Sequence, residues 1–290
     1  MLVVLAALWG ASYLFMRIAA PVLGPVALIG IRVALASLAL YLYMAALSRR
    51  PHLWHRWKEY LLLGLINSAL PFTLIATAEL HITASLASVM NAMTPLCAAL
   101  VAWGWTKQPL TSRKLSGLVL GVVGVGVLLG LNPHKGGIDV GFALLSLLAS
   151  VSYGFGGVYA AKAFPGENPI DMAVGQQLGA TVFMLPLAVG TVPLVAPSGV
   201  VVFSVLALSI LCTSLAYLLY FPLLQRVGPV RTLSVTFLIP VFGILWGHLF
   251  LQEAVTPTII AGLALVLVSV ALVADLPFGR SARGRRAQGA

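Results

Sequence analysis

Ten runs of about 20 predominantly apolar residues follow one another along the chain, each long enough to cross the hydrocarbon core of a bilayer as a helix. They cover Leu2 to Ala19, Val26 to Leu47, Tyr60 to Ala78, Ser85 to Trp105 and Leu115 to Leu131, then Val140 to Ala163, Asp171 to Val192, Val200 to Phe221, Val230 to Phe250 and Thr258 to Ala274. Water cannot be the main solvent of such a chain. Of its 290 residues 60% are hydrophobic and 8% charged, against about 25% charged in soluble domains. Transmembrane strands would alternate apolar and polar faces, and these runs do not alternate. The expected fold is an all-α polytopic membrane protein with ten transmembrane helices.

The net charge of +10 invites a nucleic-acid reading, but the cations are placed otherwise. Arg49, Arg50, Arg56 and Lys58 follow the second run, and Lys107, Arg113 and Lys114 the fourth. Lys162 follows the sixth, Arg226 and Arg231 the eighth, and Arg280, Arg283, Arg285 and Arg286 the tenth. The opposite loops hold Lys135 alone. The positive-inside rule then puts both termini in the cytoplasm; a bacterial inner membrane is the expected location, with lipids and no nucleic acid as partners. Met1 opens directly on an apolar run without a basic segment before it, so this run reads as a mature span and not a secretory signal. Cys97 and Cys212 fall at midspan without a metal or disulfide motif around them and read as packing residues; no metal or cofactor is expected.

The chain also matches itself. Trp9, Gly10 and Pro25 align with Tyr153, Gly154 and Pro169 at an offset of 144, which sets Arg32 opposite Gln176; Pro95, Thr111 and Gly117 align with Pro240, Thr256 and Gly262 at 145. The divide lies in the Gly-, Pro- and polar-rich loop 132–139, giving halves 1–134 and 135–275 and a basic cytoplasmic tail 276–290. Five spans per half is an odd number, so the second half enters the membrane from the opposite side. Inverted repeats suit alternating access to one site at their interface, around a central cavity near the midplane.

Candidate cavity residues follow from polar and aromatic groups inside the runs. Ser85, Ser88, Asn91 and Pro95 lie at helical spacings on span 4; Thr232, Ser234, Thr236 and Pro240 answer on span 9. Each proline removes a backbone hydrogen bond and kinks its helix. Span 6 lines up Ser146, Ser150, Tyr153 and Gly157, span 1 carries Trp9 and Tyr13, and span 8 has Thr213, Tyr217 and Tyr220. Aromatic rings away from the interface belts offer stacking area with polar tips. Trp54, Trp57, Trp103 and Trp105 read as belt residues. Arg17, near its span end, is expected to snorkel; Arg32 lies deeper, and a carboxylate or gating contact competes there with a structural pair. Gln176 and Gln177 are neutral donors in the mirrored span. Gly117, Gly121 and Gly124 form a small-residue seam on span 5 that reads as scaffolding. No Asp or Glu falls at midplane depth, so movement down the substrate gradient is the simplest mechanism.

In this order, Trp9-Gly10, Arg32, the stretch from Ala84 to Ser88, Pro95 and Gly117, then Arg226-Val227-Gly228, Pro240, Glu253 and Gly262 resemble the drug/metabolite transporter superfamily of the EamA-repeat type over nearly the whole chain. Thr83 to Pro95, with Asn91, is most similar to YddG-type exporters of aromatic amino acids. The resemblance implies a ten-helix basket and export of amino acids or similar small metabolites and drugs by a monomer or weak homo-oligomer. One departure is Gln108, where the family often has a Glu matching Glu253. Two alternatives stay open: a carrier of anionic metabolites such as sugar phosphates or nucleotide sugars, and an intramembrane hydrolase built on Gly10-Ala11-Ser12 with His248, which no linking motif supports.

Overall fold

The computed structural model describes residues 1–49, 53–107, 109–130, 140–193, 196–220, 223 and 235–274. The described residues form helices and no strand. They are α1 (Leu2–Leu23), α2 (Pro25–Ala46), α3 (Trp54–Ala78), α4 (Ala84–Trp105) and α5 (Ser112–Gly130), then α6 (Val140–Ala163), α7 (Pro169–Val189), α8 (Gly199–Tyr220), α9 (Val235–Leu251) and α10 (Pro257–Val273). The first eight are long and apolar enough to cross a membrane; α9 and α10 are shorter apolar helices. The apolar run behind α9 starts at Val230, and 230–234 lie outside the described residues, as do Thr232 and Ser234 of the expected polar stripe.

Local chemistry sets the helix ends. Gly24, at φ 75°, closes α1 and lets Pro25 open α2, a conformation that costs glycine little. Thr83, Asn168 and Thr256 cap α4, α7 and α10 through their side chains, satisfying amides that the first turn leaves bare. The repeat mates Thr111 and Thr256 act alike, accepting from Lys114 N and Ile259 N, both at 3.3 Å.

The helix pairs have an exchange pattern. Helix α1 lies on α9 and α6 on α4; α3 lies on α7 and α8 on α2; α3 touches α6 and α8 touches α1. Moving every helix five places along the chain exchanges the members of each pair. The pairs α2 with α7, α4 with α9 and α5 with α10 map onto themselves. Outward faces stay apolar: Val122, Leu187, Val189, Phe203 and Phe250 are exposed, as lipid contact requires. Trp54, Trp57, Trp103 and Trp105 are exposed at helix ends, in keeping with a belt role.

Two departures from regular helix matter for the site. The first is in α4, which breaks at Ala92–Met93 into Ala84–Asn91 and Thr94–Thr106. Pro95 has no amide for the Asn91 carbonyl, and Thr94 Oγ1 donates to that carbonyl instead at 2.7 Å. The matched Pro240 sits inside an unbroken α9. The second is a widened π turn in α3 (Leu65–Ala69) and another in α8 (Ala207–Leu215). An offset of 145 lays one over the other. Such turns often mark functional positions.

Candidate functional site

The π turns carry hydroxyls into the seam between the halves. In α8, Thr213 Oγ1 donates to Leu208 O five residues back at 2.8 Å and accepts from Arg32 Nε at 3.0 Å. In α3, the repeat mate Ser68 accepts from Gln176 Nε2 at 2.8 Å, and Gln176 is the repeat mate of Arg32. The pairing continues one turn on. The Arg32 guanidinium lies 3.6 Å from the centroid of Phe72, whereas Gln176 Nε2 donates to the hydroxyl of Tyr217 at 2.8 Å. Phe72 and Tyr217 are again 145 residues apart. Edge-on rings complete both sides: Tyr153 meets Phe72 with centroids 6.3 Å apart, and its mate Trp9 meets Tyr217 at 6.5 Å.

The result is a doubled cluster in which each half supplies part of both copies, with one conspicuous inequality. One copy centres on a guanidinium and the other on a carboxamide. Both are buried, at 3% and 6% exposure. The carboxamide is well satisfied, since Asn67 Nδ2 also donates to Gln176 Oε1 at 3.0 Å. Trp9, Tyr153 and Tyr217 are half-buried and form the more open edge. Tyr220 adds a second ring against Trp9, 5.4 Å away.

Asn91 and Tyr13 stand beside this cluster. Asn91 Nδ2 donates to the Tyr13 hydroxyl at 2.7 Å, and Ser150 Oγ donates to Asn91 Oδ1 at 3.2 Å. The amide thus ties α4 to α1 and α6 next to the helix break. Ser146 and Ser150 reach the Ala87 and Met90 carbonyls. Replacing Asn91 with Leu is expected to remove both side-chain bonds and to cost about 1 to 3 kcal/mol, the usual cost of a buried polar partner left unsatisfied. Thermal melting of the purified variant checks this; an unchanged melting temperature would show that neither bond contributes.

Other candidates lie elsewhere. Ser88 is fully buried, donates to Ser85 O at 2.8 Å and packs under Gly243 of α9, so the expected stripe on α4 splits: Ser85 and Ser88 face α9, and Asn91 faces α1 and α6. Pro95 forms the helix break. Gln177 is fully buried and donates to Ser68 at 3.3 Å, behind Gln176. Thr236 is half-buried in the first turn of α9, and Pro240 is buried in the same helix. Cys97 and Cys212 are free and buried.

Arg17 finds a protein partner near its span end. It donates through Nη1 to the carbonyl of Glu79 and thereby closes the C-terminal end of α3, where bare carbonyls favour a cation. Sequence reasoning also missed Ser68, Asn67 and Phe72, although the offset of 145 that pairs Pro95 with Pro240 assigns Ser68 and Phe72 as mates of Thr213 and Tyr217. Glu253 appears in the sequence only as part of the family resemblance. It is a bridge between halves: its two carboxylate oxygens accept from Ala84 N at 2.7 Å, Ser85 N at 2.9 Å and Ser85 Oγ at 2.5 Å. No group of three or more His, Cys, Asp or Glu that would hold a metal occurs among the described residues.

A helical bundle with lipid-facing apolar surfaces and a polar, aromatic cluster shared between its halves defines a membrane transporter. The chain belongs to the EamA-like transporter family, whose model matches residues 1–130 and 141–274. It is 29% identical over 277 residues to the uncharacterized transporter YvbV of Bacillus subtilis (strain 168), covering 94% of this chain and 90% of the relative. It is 26% identical over 226 residues to protein PecM of Dickeya dadantii (strain 3937), covering 76% and 74%. An uncharacterized transporter of Archaeoglobus fulgidus shares 22% identity over 267 residues, covering 91% of this chain and 94% of that one. A solved crystal structure shares the fold with a TM-score of 0.66 at 20% identity, covering 93% of each chain. Family and relatives mark a transporter and not an enzyme, which disposes of the intramembrane hydrolase.

Proposed function

We propose that the protein exports amino acids, aromatic ones foremost, and related small metabolites or drugs, by alternating access between two inverted five-helix halves. The observation that carries this reading is the doubled cluster: Arg32 with Thr213 and Phe72, and Gln176 with Ser68 and Tyr217. The Arg32–Thr213 and Gln176–Ser68 contacts each cross from one half to the other, so a relative movement of the halves must remake the site. The exchange of helix neighbours between halves and the two stretches matched by the family model favour the same division at 1–134 and 135–275. Trp9, Tyr153 and Tyr217 offer stacking area for a flat side chain. Because one chain supplies both parts of the site, a monomer or weak homo-oligomer suffices.

The basic connections orient both termini to the cytoplasm of a bacterial inner membrane, a placement that protease access to the C-terminal tail from outside sealed cells would overturn. A carrier of sugar phosphates or nucleotide sugars needs several cations at its site; among the described residues of the cluster Arg32 is the single one.

Radiolabelled phenylalanine, tyrosine and tryptophan are expected to enter proteoliposomes holding the purified protein faster than small amino acids, with no imposed ion gradient. Trp9→Ala and Tyr153→Ala are expected to slow the aromatic substrates several-fold more than the small ones, because the lost contact is ring area. Glu79 supplies the control for the energetics. It is fully buried with both carboxylate oxygens lacking a hydrogen-bond partner, which makes it the described acid best placed to carry a proton. Glu79→Gln is expected to leave downhill uptake intact. Strict dependence on a proton gradient, lost in Glu79→Gln, would defeat the downhill mechanism.

A further inference from the structure

The two copies of the cluster correspond residue for residue, and the clearest electrostatic difference between them is the charge on Arg32. A guanidinium has five N–H donors and no acceptor. Here it finds one oxygen, Thr213 Oγ1, one thioether, Met16 Sδ at 3.5 Å, and the face of Phe72. No carboxylate comes within 4 Å of it among the described residues. Glu79, the buried acid on the same helix as Phe72, lies seven residues beyond it along α3 and makes no ion pair with Arg32, although the two charges act on each other at longer range. A buried cation with no carboxylate in contact is costly, and a neutral alternative exists in the fold itself, since Gln176 holds the mirrored position against the hydroxyls of Ser68 and Tyr217. A structural role alone would favour the carboxamide on both sides.

We propose that Arg32 is the docking point for a carboxylate on the transported molecule, which restricts the substrates to monoanionic or zwitterionic aromatic acids and discriminates against the corresponding amines and alcohols. This rests on the transport reading above and names the chemistry that the site selects. The planar guanidinium matches a carboxylate with two parallel hydrogen bonds, and Phe72 behind it holds the cation without competing for those donors. Tyr153 lies edge-on to Phe72, with ring centroids 6.3 Å apart, and adds ring area beside the guanidinium. A phosphate dianion asks for more positive charge than one guanidinium supplies.

Binding to the purified full-length protein tests this directly, with thermal stabilisation as the readout and 3-phenylpropionate, L-phenylalanine, phenethylamine, 3-phenylpropanol and phenyl phosphate as probes. The carboxylates are expected to raise the melting temperature at concentrations roughly tenfold below any effect of the amine or the alcohol. In Arg32→Gln that preference disappears, and in the double variant Arg32→Gln with Gln176→Arg it returns, because the charge has moved to the matched position. If Arg32→Gln gives no folded protein, Arg32→Lys replaces it; keeping the charge while losing the fork, it is expected to weaken carboxylate binding about tenfold. Equal stabilisation by carboxylate and alcohol in the native protein, or a carboxylate preference that survives Arg32→Gln or is undiminished in Arg32→Lys, overturns the proposal, as does a stronger effect of phenyl phosphate. Stabilisation by 3-phenylpropionate but not by L-phenylalanine would keep the carboxylate site and remove the amino-acid substrate.

Discussion

Valine in place of Gly10 is expected to destabilise the protein by about 3 kcal/mol or more, in the upper range for overpacking a close contact, and Gly154→Val is expected to do the same. A Cβ at Gly10 would stand 2.6 Å from Phe242 Cβ and 3.0 Å from both Gly243 N and Ile239 O. At Gly154 it would stand 2.8 Å from Ala98 N and 2.9 Å from the Cys97 carbonyl carbon. In both places the obstacle is main chain or the Cβ fixed directly to it, which cannot rotate away as a side-chain tip can. Phe242 and Gly243 are the offset mates of Cys97 and Ala98, so the two glycines serve one crossing, used twice. Gly126, with nothing within 4 Å of its Cβ position, is the control: Gly126→Ala is expected to be neutral or slightly stabilising in a helix. Size-exclusion profiles and melting temperatures of the three variants decide the matter. A Gly10→Val protein as stable as Gly126→Ala would mean that the α1–α9 crossing is looser than described.

Removing the carboxylate of Glu253 is expected to cost about 2 to 4 kcal/mol, because a charged acceptor shared by three donors is among the stronger hydrogen-bonding groups. Two of those donors are main-chain amides in the first turn of α4, where the helix dipole also favours an anion. Glu253→Ala leaves these donors bare. Glu253→Gln keeps one acceptor oxygen and is expected to lose roughly half as much. The bond joins the end of α9 to the start of α4, one from each half. Its loss should therefore also raise the reactivity of a cysteine placed at Thr83 toward a membrane-impermeant thiol reagent. If Glu253→Ala melts with the native protein and cysteine labelling is unchanged, the contact holds nothing. The repeat mate of Glu253 is Gln108, which lies outside the described residues.

Much of this architecture is legible in the sequence because lipid imposes a simple rule: apolar runs of fixed length must be helices. The runs from Leu2 to Ala19 and from Asp171 to Val192 became α1 and α7 with small changes at their ends. Within the site, the match of Trp9 to Tyr153 and of Arg32 to Gln176 led to the residues that the fold brings together. Periodicity did less well where backbone departs from regular helix. The π turns of α3 and α8 hold no Gly or Pro, though Gly64 and Pro71 flank the first, and they bring Ser68 and Thr213 to partners that a 3.6-residue count does not select. The polar stripe on α4 split for a related reason: the break at Ala92–Met93 and the pull of Glu253 at its start give its two ends different neighbours. Arg17 illustrates a third limit. A cation near a span end has both water and bare helix carbonyls within reach, and only the fold shows that α3 ends beside it.

The bond from Arg32 to Thr213 has a consequence in time as well as in space. The two residues are 181 positions apart in the chain, and ribosomes add roughly 5 to 20 residues each second. For roughly 10 to 40 seconds of synthesis, Arg32 exists before its oxygen partner has been made. During that interval the guanidinium has only its first-half partners, the ring of Phe72 and the sulfur of Met16, and the hydrogen bond from its Nε waits for the eighth helix.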